Sequence, residues 1–525
     1  MTDNRFRRLP VGIQSFKVIR EENYLYVDKS DIVWNMVNLG DKYNYLSRPR
    51  RFGKSVLVDT LESYLEGRKD LFEGLKIMQL EKDWKQYPVI RLDMSRGGAN
   101  EDTLRSYLNL RFKDYEEKYN ITPDPTAMLA DRFHAIIATA YKQTGLRVAV
   151  LIDEYDSPLQ HSWRTPEHEK CTGVYREVFA ILKADDEYEH FIFITGITKF
   201  TQISLFSVLN NLSNISFMPE YATICGITEE EIKENFMPEI KQMSEANNWS
   251  VQETHDRLKA YYDGYHFSRR NMVDVYNPYS LVNALKSKEI INFWASSGAT
   301  SLLPKFVDNA ELRLSKFENC SVMRNTLELS DVSGGGAELF LYQSGYLTIK
   351  DSDEFGYILG FPNEEVKQAL YETVLPALAM RSESEILSLQ ACLYRYLGTG
   401  QIDEAMKSLK ALIADVPYSN KKLASMDMEE RYRLIISTIL NAIGLNVEVE
   451  KMISTGRIDM TVKTSRYIYV IELKLRNNGG KDAATEQILN RQYMEPFKAD
   501  KRKVIGLGIE LDEDGKGLLD WKRTE

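Results

Sequence analysis

The sequence predicts a multi-domain α/β protein. A parallel sheet with flanking helices surrounds a phosphate-binding loop, a helical region follows, and a small α/β domain comes last. Three observations carry this. The run Tyr43-Asn44-Tyr45-Leu46-Ser47 passes through a Pro- and Arg-containing loop into Gly53-Lys54-Ser55, then into Val56, Leu57, Leu61 and Leu65 at helical spacing. The unbroken apolar run Val148–Ile152 ends in Asp153-Glu154, the pattern of a buried parallel strand whose tip meets a ligand. Far downstream an apolar helix precedes strands bearing Asp459, Glu472 and Lys474.

The first element needs its residues in that order. A helix N-terminus offers unpaired N–H groups and partial positive charge to an anion. Gly53 lets the backbone approach phosphate oxygens. Lys54 reaches the β- and γ-phosphates, and the Ser55 hydroxyl completes the shell of Mg²⁺. Arg51, Phe52, Gly53, Lys54 and Ser55 are therefore the candidate contacts for ATP. The full loop pattern has glycine five residues before Gly53, where this chain has Arg48. An ordinary helix that happens to open with Gly-Lys-Ser is the competing reading.

Composition bounds the rest. The chain has 525 residues, 43% hydrophobic and 27% charged, too long for one core and ordinary for a water-soluble protein. A net charge of −10 excludes a whole-chain basic footprint for nucleic acid, so any such contact is local. Cys171, Cys225, Cys320 and Cys392 are far apart and form no CxxC pair, which argues against a zinc ribbon and for reduced thiols. Residues 1–10 are polar and Arg-rich, and apolar runs are too short to span a bilayer. The expectation is a cytoplasmic protein without a membrane partner.

Taken in order, Tyr24-Leu25-Tyr26-Val27-Asp28 reads as a strand leading to a Ser- or Asp-capped helix over 30–39, with a packing role. A second strand is expected at Tyr87–Met94, and helices over 101–142. At the tip of the third, Asp153 would hold Mg²⁺ and Glu154 would polarise the attacking water. A core strand capped by a solvated acidic loop is the alternative. Acids at a strand tip about 100 residues after Gly-Lys-Ser favour the paired site. Phe191–Gly196 reads as a further strand between these two, with Thr195 at its polar tip as a γ-phosphate sensor or a turn residue. Lys199-Phe200 and Asn210-Asn211 lie just beyond, where nucleotide-dependent movement would pass.

Residues 226–265 are amphipathic and charged, as in a helical lid. The aromatic cluster Tyr261–Phe267 and Val275–Tyr279 reads as a packed corner. Gly334-Gly335-Gly336 marks a linker or turn. A helix from Glu338 and a ribbon ending at Gly356–Asn363 fit a winged-helix-like module without a basic stripe, followed by helical connector over 364–416. The expected divisions are 1–225, 226–330, 331–425 and 426–525.

Several of these motifs together resemble one family. Tyr26-Val27-Asp28-Lys29-Ser30, Arg48-Pro49-Arg50-Arg51-Phe52-Gly53-Lys54-Ser55, Ile152-Asp153-Glu154-Tyr155-Asp156, Asn210-Asn211-Leu212 and Tyr262-Asp263-Gly264-Tyr265 are similar to those of the AAA-ATPase-like family of bacterial proteins, over residues 9–280. The resemblance implies a P-loop NTPase fold, and it makes Arg48 a family trait. Such proteins often end in a PD-(D/E)XK nuclease-like domain.

The last hundred residues carry the matching chemistry. A helix from Glu429 to about Ile443, ended by Gly444, precedes Val447–Glu450, Gly456–Val462 and Tyr467–Leu475. Folding about Lys463–Arg466 brings Asp459 near Val470, with Glu472 its diagonal neighbour on the same face and Lys474 next along. Paired carboxylates bind Mg²⁺ through oxygen and support phosphodiester hydrolysis, with Lys474 offsetting charge. Glu472 stands in an apolar strand, where an unpaired charge is costly. A solvated hairpin face is the bland alternative. The order helix–strand–hairpin with Gly-Arg-Ile-Asp and Ile-Glu-Leu-Lys resembles the PD-(D/E)XK, restriction-endonuclease-like fold. It implies Asp459 and Glu472 as metal ligands and Lys474 as their catalytic partner, with a loose match at Glu430 and a helper polar residue at Gln487. Ile458 stands where the family name has proline.

Residues 456–505 hold 11 Lys or Arg against 6 Asp or Glu, a net +5 that favours nucleic acid as partner, DNA ahead of RNA. The expected function is ATP-dependent control of a Mg²⁺-dependent nuclease, in a possible homo-oligomer. The alternative is an ATP-dependent switch whose last domain binds nucleic acid without cutting it.

Overall fold

The computed structural model describes residues 8–124, 126–199, 212–295, 317–328, 336–379, 383–414 and 427–525. Phe200, Asn210-Asn211 and Gly334-Gly335 lie outside the described residues. The chain divides into two compact units, within residues 1–297 with 319–363 and within 298–318 with 364–525. Among the described residues no helix is long and apolar enough to cross a membrane.

The first unit is built on five parallel strands: β1 (Tyr43–Ser47), β2 (Val89–Asp93), β3 (Val148–Asp153), β4 (Glu189–Gly196) and β5 (Ser213–Asn214), in spatial order β2-β3-β4-β1-β5. Every residue of β3 is buried, which is why its sequence is continuously apolar instead of alternating. Helices Lys54–Leu65 (α1), Glu101–Lys118 (α2), Leu129–Thr144 (α3) and Glu167–Phe179 (α4) accompany the sheet. Because β4 lies between β1 and β3, the loop after β1 and the acids after β3 flank the tip of β4.

Among the described residues the expected strand at Tyr24–Asp28 is instead an extended segment with one bridge, Tyr24 to Arg8. Asp28 ends it by turning its carboxylate back to accept from the Ser30 and Lys76 N–H groups, which starts the helix Ser30–Asn38. Helices Glu229–Asn235, Met237–Asn247, Val251–Tyr262 and Pro278–Ser287 pack Ile232, Phe236, Ile240, Leu258, Tyr262 and Leu281 into one apolar cluster. Residues 336–360 give a helix, Gly336–Ser344, and two strands, Thr348–Ser352 and Gly356–Gly360, with Cys320–Met323 added as a third antiparallel strand. The helix stops at Gly345, whose φ of +90° suits glycine alone, and a Cβ there would strike Pro49.

The start of β4 carries a buried acid, Glu189, that accepts from the Tyr43 hydroxyl at 2.7 Å. Burial pushes its carboxyl up to about 8 from an ordinary 4.5. Between those values the folded protein holds a proton that the unfolded chain releases, so stability falls as pH rises from about 4.5 to 8. Glu189→Gln is expected to stabilise the protein at pH 8.5 by about 1–3 kcal/mol and to change little at pH 4.5. Thermal melts of both proteins across that range would check it; an unchanged pH slope in the variant contradicts it.

The second unit has helices Glu364–Ala379, Glu383–Thr399 and Ile402–Ala414, then α5 (Met428–Ala442). A mixed sheet follows: β6 (Asn446–Ile453), β7 (Gly456–Lys463), β8 (Tyr467–Leu475), β9 (Lys503–Leu511) and β10 (Leu518–Thr524), in sequential order. The β8–β9 pair alone is parallel, with helix α6 (Gly480–Asn490) as its crossover.

Candidate active sites

Between β1 and α1 the loop turns on two left-handed residues, Arg51 at φ +65° and Gly53 at φ +87°. Nothing lies within 4 Å of where a Gly53 Cβ would stand, so glycine is required there for conformation, and open space is left before the helix N-terminus. Lys54 is 3% exposed and curls over the loop, its Nζ donating to the carbonyls of Arg48 (3.1 Å) and Pro49 (3.0 Å) and lying 3.7 Å from Glu154. The Ser55 side chain lies beside Asp153 at the tip of β3 and opposes the rise of its carboxyl's pKa. Burial, and then the Glu154 charge, push the Asp153 carboxyl up to about 6. Glu154 itself is held at φ +49°. A hydroxyl and a carboxylate meeting beside an open helix N-terminus are the oxygen donors that suit Mg²⁺.

Arg48 explains the absent glycine. Its guanidinium is turned inward and buried, donating to the carbonyls of Ser47 (2.8 Å), Ser216 (2.9 Å) and Tyr221 (2.9 Å) and stacking 4.1 Å from the Phe267 ring. Only its backbone takes part in the loop. Arg48→Gly, which restores the usual glycine, should therefore lower stability by about 3 kcal/mol or more, because three carbonyls lose their donor and a cavity opens. Denaturant unfolding would measure this; unchanged stability contradicts it.

Phe52 also points inward, its ring edge-on to Tyr265 (4.7 Å) and Phe267 (5.3 Å), so the aromatic cluster is the anchor of the loop. The Arg51 guanidinium covers the Tyr279 ring at 4.7 Å. Thr195 is fully buried and donates to the Leu46 carbonyl at 2.9 Å, binding β4 to β1. Asp156 holds the tip of β4, accepting from the N–H groups of Ile197 (3.1 Å) and Thr198 (2.6 Å). A cavity of about 440 Å³ opens at the loop. Its walls include Arg51 to Ser55 and Glu154, and also Pro10 to Gln14, Val27, Tyr279 and Asn283. The sequence gives Tyr24–Asp28 and the helix after it a packing role; Val27 of that segment also lines the cavity.

In the second unit the hairpin closes with Lys463 opposite Ile468, and Thr464 ties the turn by accepting from the Tyr467 N–H. The pairing Thr461 to Val470 and Met460 to Ile471 puts Asp459 directly opposite Glu472, two residues from the expected register. A shift of two preserves the face. Beyond Met460 the side chains replace the ladder: the Leu473 N–H donates to Asp459 Oδ2 at 2.9 Å, and the Asp459 N–H reaches Glu472 Oε2 at 3.4 Å.

Glu472 is 1% exposed, and burial together with the adjacent Asp459 holds its carboxyl well above the ordinary range. The Lys474 charge opposes that shift. Gln487 on α6 donates to Glu472 Oε1. Glu429, the residue before the expected Glu430, reaches the end of β8 from α5, accepting from the Leu475 N–H (3.2 Å) and Asn478 (3.1 Å). Arg433, which sequence reasoning passed over, donates to Asp459 Oδ1 at 3.0 Å.

Two carboxylates forced together in a buried site fit a divalent ion, whose charge would relieve their repulsion. Among the described residues no group of three or more His, Cys, Asp or Glu surrounds one metal position.

Comparison with known proteins agrees with this geometry. Residues 10–206 match the family model described as "Predicted AAA-ATPase", and residues 427–521 match that of the PD-(D/E)XK nuclease superfamily. Over 98% of its own length and 98% of the relative's, the chain is 31% identical to the "Uncharacterized protein in vnfD 5'region" of Azotobacter chroococcum mcd 1. The chain belongs to the AAA-ATPase-like family, in the form that carries a PD-(D/E)XK nuclease superfamily domain at its C-terminal end.

Proposed function

We propose that this protein binds and hydrolyses ATP in its first unit and uses the nucleotide state to control a Mg²⁺-dependent nuclease in its second. The observation that carries the reading is the meeting of Asp459 and Glu472 across adjacent strands, beside Lys474. In the ATP site, Gly53 and the α1 N-terminus would receive the phosphates, with Arg51 and Phe52 contributing main chain. Lys54 would leave the Arg48 and Pro49 carbonyls for the β- and γ-phosphates, Ser55 and Asp153 would hold Mg²⁺, and Glu154 would orient the attacking water.

In the nuclease site Asp459 and Glu472 would hold the metal, which supplies a Lewis acid and lowers the pKa of a bound water. Leu473 N–H and Gln487 fix the two carboxylates so that little reorganisation is needed. Lys474 would neutralise charge developing on the phosphate. Nucleic acid is the substrate that this chemistry and the net +5 of residues 456–505 suit, DNA ahead of RNA. The helix and three strands of residues 320–360 are read as winged-helix-like, with a packing role. The working divisions are 1–225, 226–330, 331–425 and 426–525, in a cytoplasmic protein that forms homo-oligomers.

Labelled DNA and RNA incubated with and without ATP, Mg²⁺ and Mn²⁺, beside Lys54→Ala and Lys474→Ala, test the reading. Expected is cleavage that needs metal and Lys474 and responds to ATP through Lys54. Intact substrate under every condition contradicts it. One observation favours the second reading, an ATP-dependent switch that grips nucleic acid without cutting: Arg433 already neutralises Asp459. ATP-stimulated, salt-sensitive binding that survives Glu472→Ala, with no cleavage by wild type, would establish it.

A further inference from the structure

The acids of the second unit number more than two. On β6, Val449 pairs with Met460 and Lys451 with Ile458, so Glu450 lies opposite Asp459, which lies opposite Glu472. Three carboxylates thus stand in register on three adjacent strands. Glu450 is withdrawn from the ladder, its backbone held at φ +54° in a left-handed conformation that glutamate rarely adopts. Such strain persists where surrounding contacts impose it, and it gathers at functional sites.

Arg433 is in contact with the Glu450 carboxylate. From α5 its Nη2 reaches Glu450 at 3.1 Å, while its Nη1 reaches Asp459 at 3.0 Å. Arg457 makes a second contact with Glu450 at 3.1 Å. The Arg433 side chain is 15% exposed and Asp459 12%, so their attraction is weakly screened. Both Asp459 oxygens are occupied: Oδ1 by Arg433 and Oδ2 by the Leu473 N–H. A metal ion sharing Asp459 must therefore compete with a fixed positive charge about one hydrogen bond away.

We propose that Arg433 is an exchangeable counter-ion. It holds the charge of Asp459 until a divalent ion takes that carboxylate, and Glu450 then keeps the guanidinium at the rim of the site. The inference rests on the nuclease reading of Asp459 and Glu472 and adds the element that sets metal affinity there. Arg433 is a positioning residue, and the lined-up Glu450 is its alternative partner. No bond is made or broken in the exchange, only ion pairs.

The test is Mn²⁺ binding to the full-length protein without nucleotide, followed by the electron paramagnetic resonance signal of free Mn²⁺. The site scored is the one lost in Asp459→Asn. Arg433→Gln, which removes the competing charge, should tighten that site by about fivefold or more, and Arg433→Lys, which keeps it, should stay within about twofold of wild type. Glu450→Gln should weaken the site, because Arg433 is then left to Asp459 alone.

A purely structural ion pair would give unchanged or weaker binding in Arg433→Gln, and that result overturns the proposal while leaving the nuclease reading intact. Equal tightening in Arg433→Gln and Arg433→Lys overturns it too, since charge would not be the cause. If Arg433→Gln does not fold, Glu450→Gln decides, and unweakened binding there is contrary. Absence of any Asp459-dependent Mn²⁺ site removes the nuclease reading itself, and the proposal with it.

Discussion

Glu472→Ala is expected to reduce metal-dependent cleavage by about a thousandfold or more, to background. The carboxylate is buried in β8, fixed on one oxygen by Gln487, and faces Asp459 across the hairpin. Removing it leaves one acid to hold a divalent ion, and that acid is already paired with Arg433. Asp459→Ala should fall as far, and the double variant no further, because the two act as a unit. The loss is not a folding defect in disguise. Glu472→Gln keeps the shape and cannot take on the charge that burial and Asp459 already disfavour, so it should unfold at or above the wild-type temperature while remaining inactive. Cleavage assays paired with thermal melts separate the two; an inactive variant that also melts early would leave a structural role for Glu472 instead.

Lys54→Ala is expected to cut ATP turnover by about a hundredfold or more and to weaken nucleotide binding. Lys54 is nearly inaccessible, and its ammonium spans the loop between the Arg48 and Pro49 carbonyls and Glu154. Alanine would therefore remove the proposed phosphate charge partner together with the contacts to the Arg48 and Pro49 carbonyls. Stimulation of cleavage by ATP should vanish in the same variant, while cleavage without nucleotide persists at the wild-type level. Steady-state ATPase rates and fluorescent-nucleotide titrations would show this; wild-type turnover in Lys54→Ala contradicts the assignment.

Local chemistry made much of this legible. Gly53-Lys54-Ser55 before a helical repeat, and Asp153-Glu154 after an apolar run, are short-range patterns, and each lies where its pattern indicates. The Asp459/Glu472 face followed from a period of two, which tolerates a register error of two; Thr464 set the actual register through a turn bond that strand alternation does not encode. Long-range partners were not legible. Arg48 looked like a defect because its three carbonyl acceptors include Ser216 and Tyr221, distant in sequence. Arg433 and Glu450 belong to no motif, and only the fold aligns them with Asp459. That Glu429 reaches β8 depends on helix phase, which a one-residue offset turns by about 100°. Tyr24–Asp28 had strand composition, but a single bridge gives it no ladder to extend.

One measurement bears most directly on the central claim: a time course of end-labelled DNA and RNA with full-length wild type and Glu472→Gln, with and without ATP, each with Mg²⁺, with Mn²⁺ and with EDTA. The account predicts metal-dependent strand scission by wild type, none with EDTA, and none by Glu472→Gln under any condition. Equal cleavage by both proteins, or no cleavage by either, would contradict it.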